Sequence, residues 1–170
     1  MGKTVNTSAP YKKRTWRGVT LDNRTISAIK WAEAHYASRA PIKRGPFRIG
    51  QGSYNAGKVD ASAGTHDGGG VVDIMFAGVS ARQRKGIVKW LRRAGFAAWA
   101  REGAIWGANG SNDHCHAVLL GHKTASPSAK AQMASYKAHR DGLAYNGYDN
   151  TPRPKRPRRW NHRLNKPIKK

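Results

Sequence analysis

The sequence predicts an α+β domain, a small antiparallel sheet with flanking helices. Three observations lead there. Helical apolar spacing recurs in stretches that open on capping residues. Between them lie short apolar runs of strand length, VVDIMF among them, bounded by glycine. Finally, apolar segments are confined to about residues 21–147 of the 170, which suits one domain of moderate size and leaves no room for a second enzymatic one.

Taken in order, Asp22 is placed to cap a helix from about Asn23 to Tyr36, where Ile26, Ile29, Ala32 and Tyr36 recur at spacings of three and four. Glu33 interrupts that stripe. Residues 47–51 read as a strand and residues 71–76 as a second. Ser80 caps a helix running to Arg93, with Ile87, Val88 and Leu91 inward, a basic outer face, and Gly95 as its stop. Residues 96–99 and the run from His114 to Leu120 complete the expected sheet. Ser126 followed by Pro127 opens a last helix to about His139, with Ala129, Met133 and Tyr136 on one side. No internal repeat is visible.

The chemistry concentrates in two strings, THDGGGVVD and NDHCHAV. Successive side chains alternate faces in a strand, so His114 and His116 project to one side and Cys115 to the other. His66 and Asp73 are separated by six residues, among them Gly68, Gly69 and Gly70, which lets the chain turn sharply and aim both at one point. The apolar run around Asp73 implies a buried carboxylate in need of a compensating partner. Two imidazole nitrogens, a carboxylate oxygen and an open fourth position are the outline of a catalytic zinc site. Any one of these histidines alone is more often structural, and a glycine triplet alone is usually a turn; the combination carries the reading. Cys115 is most simply a small core residue.

The string His66, two residues, Gly69, three residues, Asp73, followed downstream by His114, one residue, His116, resembles the zinc-dependent peptidoglycan peptidases of the D-Ala-D-Ala carboxypeptidase family, whose fold is Hedgehog-like. The similarity covers about residues 47–149 and includes LRRAGFAAWAR and DGLAYNGYD. It implies His66, Asp73 and His116 as ligands of Zn2+, a water in the fourth position, and peptidoglycan peptides as substrate. His114 is then the active-site histidine beside the metal. Many relatives carry Glu three residues before the last ligand as general base, and here that position is Asp113. Either Asp113 or His114 is a candidate for the proton chemistry. Gly64 stands where many relatives have serine, with Ser62 and Thr65 as the nearest hydroxyls. Arg48 is one among many arginines for holding a substrate carboxylate.

Charge is the second strong feature: 32 basic against 9 acidic residues give +23. The expected organisation is a basic N-terminal arm over 1–20, the peptidase-like domain over 21–149, and a basic, Pro-rich tail over 150–170. That tail holds nine Lys or Arg and no acid from Thr151 onward, with four prolines against a regular helix. It should be extended and should attract a polyanion, either teichoic acid or nucleic acid, with Trp160 free to stack on a base or sugar. No apolar run is long enough to span a bilayer, and the N-terminus lacks the apolar core of a secretory signal. Wall activity without export then points to release by lysis or delivery on a phage virion. Two other classes stand beside this one. One is a structural virion protein with a peptidase-like fold whose basic arms hold nucleic acid or acidic neighbours. The other is a non-haem iron oxygenase, disfavoured because His66 and Asp73 are not one residue apart.

Overall fold

A computed structural model describes residues 5–38, 47–56, 62–155 and 158–169. A hairpin of β1 (Lys13–Trp16) and β2 (Val19–Asp22) leads directly into α1 (Asn23–Ser38). The Asp22 carboxylate accepts from Thr25 N–H at 2.9 Å, closing the first turn of the helix as its sequence position implies. Glu33, which breaks the apolar stripe, turns out to pair with Arg17 and to accept from Phe47 N–H at 2.7 Å. It joins the hairpin to the start of β3 (Ile49–Gln51).

Four strands form the central antiparallel sheet in the order β3, β4 (Val71–Met75), β6 (His114–Leu119), β5 (Phe96–Arg101). Between β4 and β5 runs α2 (Ala81–Ala94), opened by a Ser80–Gln83 capping box and ended by Gly95 at φ 105°. Ile87, Val88 and Leu91 of α2 join Ile26, Ile29 and Ala32 of α1 and Val72, Ile74, Cys115, Ala117 and Leu119 of the sheet in one buried core. Against the other face of the sheet lies α3 (Pro127–Lys137), burying Ala129, Met133 and Tyr136 with Val71, Trp99 and Val118. The architecture is α+β, with helices on both faces of a small antiparallel sheet. Among the described residues no helix is long and apolar enough to cross a membrane.

Both expected basic arms are more structured than their composition implies. The stretch assigned to an N-terminal arm contains most of the β1–β2 hairpin, and its boundary at residue 20 falls inside β2. The expected extended tail folds back as a hairpin of β7 (Arg158–Asn161) and β8 (Lys166–Lys169). Trp160 is the reason: it is 2% exposed and packs into the main core, 6.4 Å from the Trp31 ring. It is therefore unavailable to stack on a base. A buried indole offsets the ordering cost of a segment that is otherwise charged and proline-rich. The two termini meet as well, through Ser8 and His162 at 3.0 Å and Asn6 N–H donating to Arg163 C=O at 3.0 Å.

The segment leading to β7 is fastened by Arg92 of α2. This guanidinium, fully buried, donates to Ala98 C=O at 2.8 Å, to Thr151 C=O at 2.6 Å and to the Asp149 carboxylate at 2.7 Å. Such a network satisfies a buried charge from several directions at once.

Candidate metal centre

Antiparallel pairing of β4 with β6 sets Asp73 directly opposite His116, and Met75 opposite His114. The alternation of β6 turns both histidines to the α3 side of the sheet, while Cys115 lies in the opposite core with its thiol pushed up by burial to about 12. His66 reaches the same point from a 3-10 turn, Thr65–Asp67. The glycines after it are required by close approach: a Cβ on Gly68 would lie 2.3 Å from Ser126 N, and one on Gly69 2.3 Å from the Tyr54 hydroxyl. The turn is wedged against the Tyr54, His122 and Thr124 side chains, and only bare backbone fits there.

One ligand atom from each of His66, Asp73 and His116 lies within 4.8 Å of the others, and all three residues are buried. Asp73 Oδ1 is 2.8 Å from His116 Nδ1, and Oδ2 is 3.3 Å from His66 Nε2. His114 Nε2 is 3.9 Å from the same Oδ2.

The outer nitrogens bear on what this group could hold. His66 Nδ1 lies 2.6 Å from Gly52 C=O, His114 Nδ1 lies 2.6 Å from Asn112 C=O, and His116 Nε2 lies 2.8 Å from Gln132 Oε1. Gln132 presents its oxygen because its amide nitrogen donates to Gly142 C=O at 3.2 Å. Each outer contact is an acceptor, so a neutral ring that keeps its one proton outward leaves its inner nitrogen free to bind a cation. An inner nitrogen that carries the proton instead donates to the Asp73 carboxylate. A cation would take the place of that inner proton, and two imidazoles with one carboxylate are a donor set for a metal of the zinc type.

The electrostatics point the same way. Burial by itself raises the Asp73 carboxyl, but the charge and hydrogen bond of His116, with those of His66, hold it well below the usual carboxylate range. Burial, the largest influence on His116, lowers it below an ordinary histidine despite Asp73. For His66 burial is again the largest single influence, yet Asp73 and the Gly52 carbonyl outweigh it and raise the imidazole. The Asp73 carboxylate therefore stays ionised, stabilised by the two imidazoles it touches.

These residues form the floor of a cavity of about 450 Å³ also lined by Ser62, Thr65, Arg101, Ile105, Trp106 and Leu143. Ser62 and Thr65, the hydroxyls nearest the first histidine in sequence, do reach it. Arg48 does not line it. Arg101 does, placed opposite His114 by the pairing of β5 with β6. Its guanidinium is 5.2 Å from the Trp99 ring and 5.8 Å from the Trp106 ring, and donates to Asp141 C=O at 2.7 Å.

Asp113 is not brought into this cavity. One position before His114, it faces away, where its carboxylate pairs with Arg84 at 2.8 Å and accepts from Gly103 N–H at 3.1 Å. The strand alternation that aims His114 inward aims Asp113 outward, so of the two candidates for proton chemistry only His114 stands beside His66, Asp73 and His116.

Two contributors escaped sequence reasoning, Gln132 and Arg101. A signal for Gln132 existed: it lies three residues after Ala129 and next to Met133 on the inward side of α3, and a polar residue on a buried helix face needs a partner. Arg101 had none, being one of many arginines until β5 was paired. Compared with family models, curated proteins and solved structures, the chain matches none.

Proposed function

We propose that the chain is a zinc metallopeptidase that hydrolyses peptide bonds in peptidoglycan, virion-associated or released to the wall by lysis. The observation that carries this reading is the convergence of His66 Nε2, Asp73 and His116 Nδ1 at the floor of an open cavity, with both outer imidazole nitrogens fixed on oxygen acceptors. The spacing of these residues, which resembles that of the D-Ala-D-Ala carboxypeptidase family, supports the substrate class.

His66, Asp73 and His116 would hold the ion. Bound there, zinc supplies Lewis acidity toward a carbonyl and a water acidified to a pKa of about 7. The chain's own groups supply the rest. His114, with Nδ1–H held on Asn112 C=O, presents Nε2 as the proton acceptor and, once charged, as donor to the departing amine. Arg101 is a cation held by its Asp141 C=O contact and flanked by two indoles. It provides the positive charge that orients a peptide carboxylate or steadies developing negative charge on the scissile carbonyl oxygen. Trp106, edge-on to His114 at 5.3 Å, restricts that ring and excludes water from one side.

Metal analysis of the purified protein, together with mass spectrometry of peptidoglycan fragments after digestion, tests the proposal. One zinc per chain and fragments cleaved within the stem peptides are expected. His116→Ala should abolish both. Full zinc content in that variant eliminates the ligand set, and intact stem peptides in the presence of stoichiometric zinc eliminate the peptidase.

A further inference from the structure

A second, larger groove opens beside the proposed site, about 960 Å³ in volume, between the outer face of α2 and residues 148–155. Its charge is one-sided: seven cationic side chains line it against three carboxylates. Two of those carboxylates are already engaged, Glu102 by Arg84 and Asp149 by Arg92 and Arg153. Lys85, Lys89 and Lys155 have no ion-pair partner among the described residues, and Arg93 rests on the Trp90 ring at 4.7 Å.

The arrangement is ordered. Lys85, Lys89 and Arg93 follow one another at four-residue steps along α2, giving a row of cations about 6 Å apart. That is on the order of the distance between neighbouring phosphates in an extended single strand. Across the groove stands Tyr148, 64% exposed. It is backed by the His139 ring, stacked at 6.4 Å with 14° between planes, and its backbone is held by a bridge to Arg140. A solvent-facing aromatic fixed opposite a row of cations is the combination that binds a strand by backbone charge and base stacking. A polymer of phosphates without bases would use the row and leave Tyr148 idle.

We propose that this groove binds single-stranded nucleic acid, with phosphates along Lys85, Lys89 and Arg93 and a base stacked on Tyr148. The site belongs to the folded domain and does not depend on the peptidase reading. It also differs from the expectation of binding by a free tail, since the only aromatic side chain of that tail is buried in the core.

The test uses full-length protein and a fluorescently labelled oligothymidine of about a dozen nucleotides, with anisotropy followed across a salt series. Because the chain carries +23, any loss of charge weakens binding somewhat, so the comparison variant must remove equal charge elsewhere. Lys85→Ala/Lys89→Ala/Arg93→Ala should reduce the slope of log affinity against log salt by about 2, as expected for three lost contacts on a single strand. Lys123→Ala/Lys130→Ala/Lys137→Ala, at exposed positions on and before α3, should leave the slope nearly unchanged. Tyr148→Ala should weaken binding roughly tenfold at constant slope, and Tyr148→Phe should restore it. Equal slope changes in the two triple variants overturn the proposal, as does unaltered affinity in Tyr148→Ala. Displacement of the oligonucleotide by poly(glycerol phosphate) of matched charge at equal potency overturns the assignment to nucleic acid.

Discussion

Gln132 Oε1 lies 2.8 Å from His116 Nε2, and this contact decides which nitrogen of His116 faces Asp73. The amide cannot readily present its other end, because its nitrogen is committed to Gly142 C=O. A glutamine of α3 thereby helps orient a histidine of β6.

Gln132→Ala should lower zinc affinity by roughly 10- to 100-fold, the usual cost of losing a partner behind a metal-bound histidine. Titration against a chromophoric chelator measures it. Gln132→Glu, which keeps the acceptor oxygen, should retain most of the affinity. If both variants bind zinc as the parent does, Gln132 plays no part in orienting His116.

His114→Ala should keep stoichiometric zinc and lose peptidoglycan hydrolysis by about 10²- to 10⁴-fold, the range for a general acid-base group. Asp113→Asn should leave hydrolysis nearly intact, since its carboxylate is turned to Arg84 and Gly103. Steady-state rates on a soluble muropeptide separate the two. A large loss in Asp113→Asn with His114→Ala unaffected would reverse the assignment.

The Asp149 carboxyl lies below its ordinary value; burial raises it, but Arg92, the Thr151 N–H and Arg153 outweigh burial. Its folded value being lower than the unfolded one, of about 3.9, its stabilising contribution is complete above that value and is lost as pH falls through the folded value. Thermal unfolding followed from pH 7 to pH 2 should show part of its acid-side decline removed in Asp149→Asn, with a lower melting temperature already at pH 7. Parallel acid profiles for the two proteins would mean that the Arg92–Asp149 pair contributes no pH dependence.

Trp160→Ala should destabilise the protein by about 3–5 kcal/mol, as large-to-small changes of buried aromatics do. Denaturant unfolding provides the measurement. A change under 1 kcal/mol would mean that the C-terminal hairpin is only loosely associated with the core. Removing the whole tail is accordingly not a neutral way to remove its charge.

Much of the element map was legible because it rests on local physics. Ser80 with Gln83, Gly95, and Ser126 before Pro127 announce helix ends through contacts spanning three or four residues. The histidine-bearing string was legible for a similar reason: His114 and His116 share a face in any strand, whatever the strand pairs with. The hairpin at residues 158–169 was not legible. Its composition is that of a solvated tail, and only the long-range burial of Trp160 gives the segment a place to fold.

The sequence by itself determined the positions of the helices, the strand that aims two histidines one way, and the glycine turn that lets His66 approach Asp73. All of these follow from backbone geometry over a few residues. Only the tertiary structure decided that Asp73 sits opposite His116, that Gln132 and Arg101 join them, and that Asp113 does not. Those relations depend on strand register and helix docking, where burial summed over the sheet and its helices, rather than any local preference, selects which distant side chains meet.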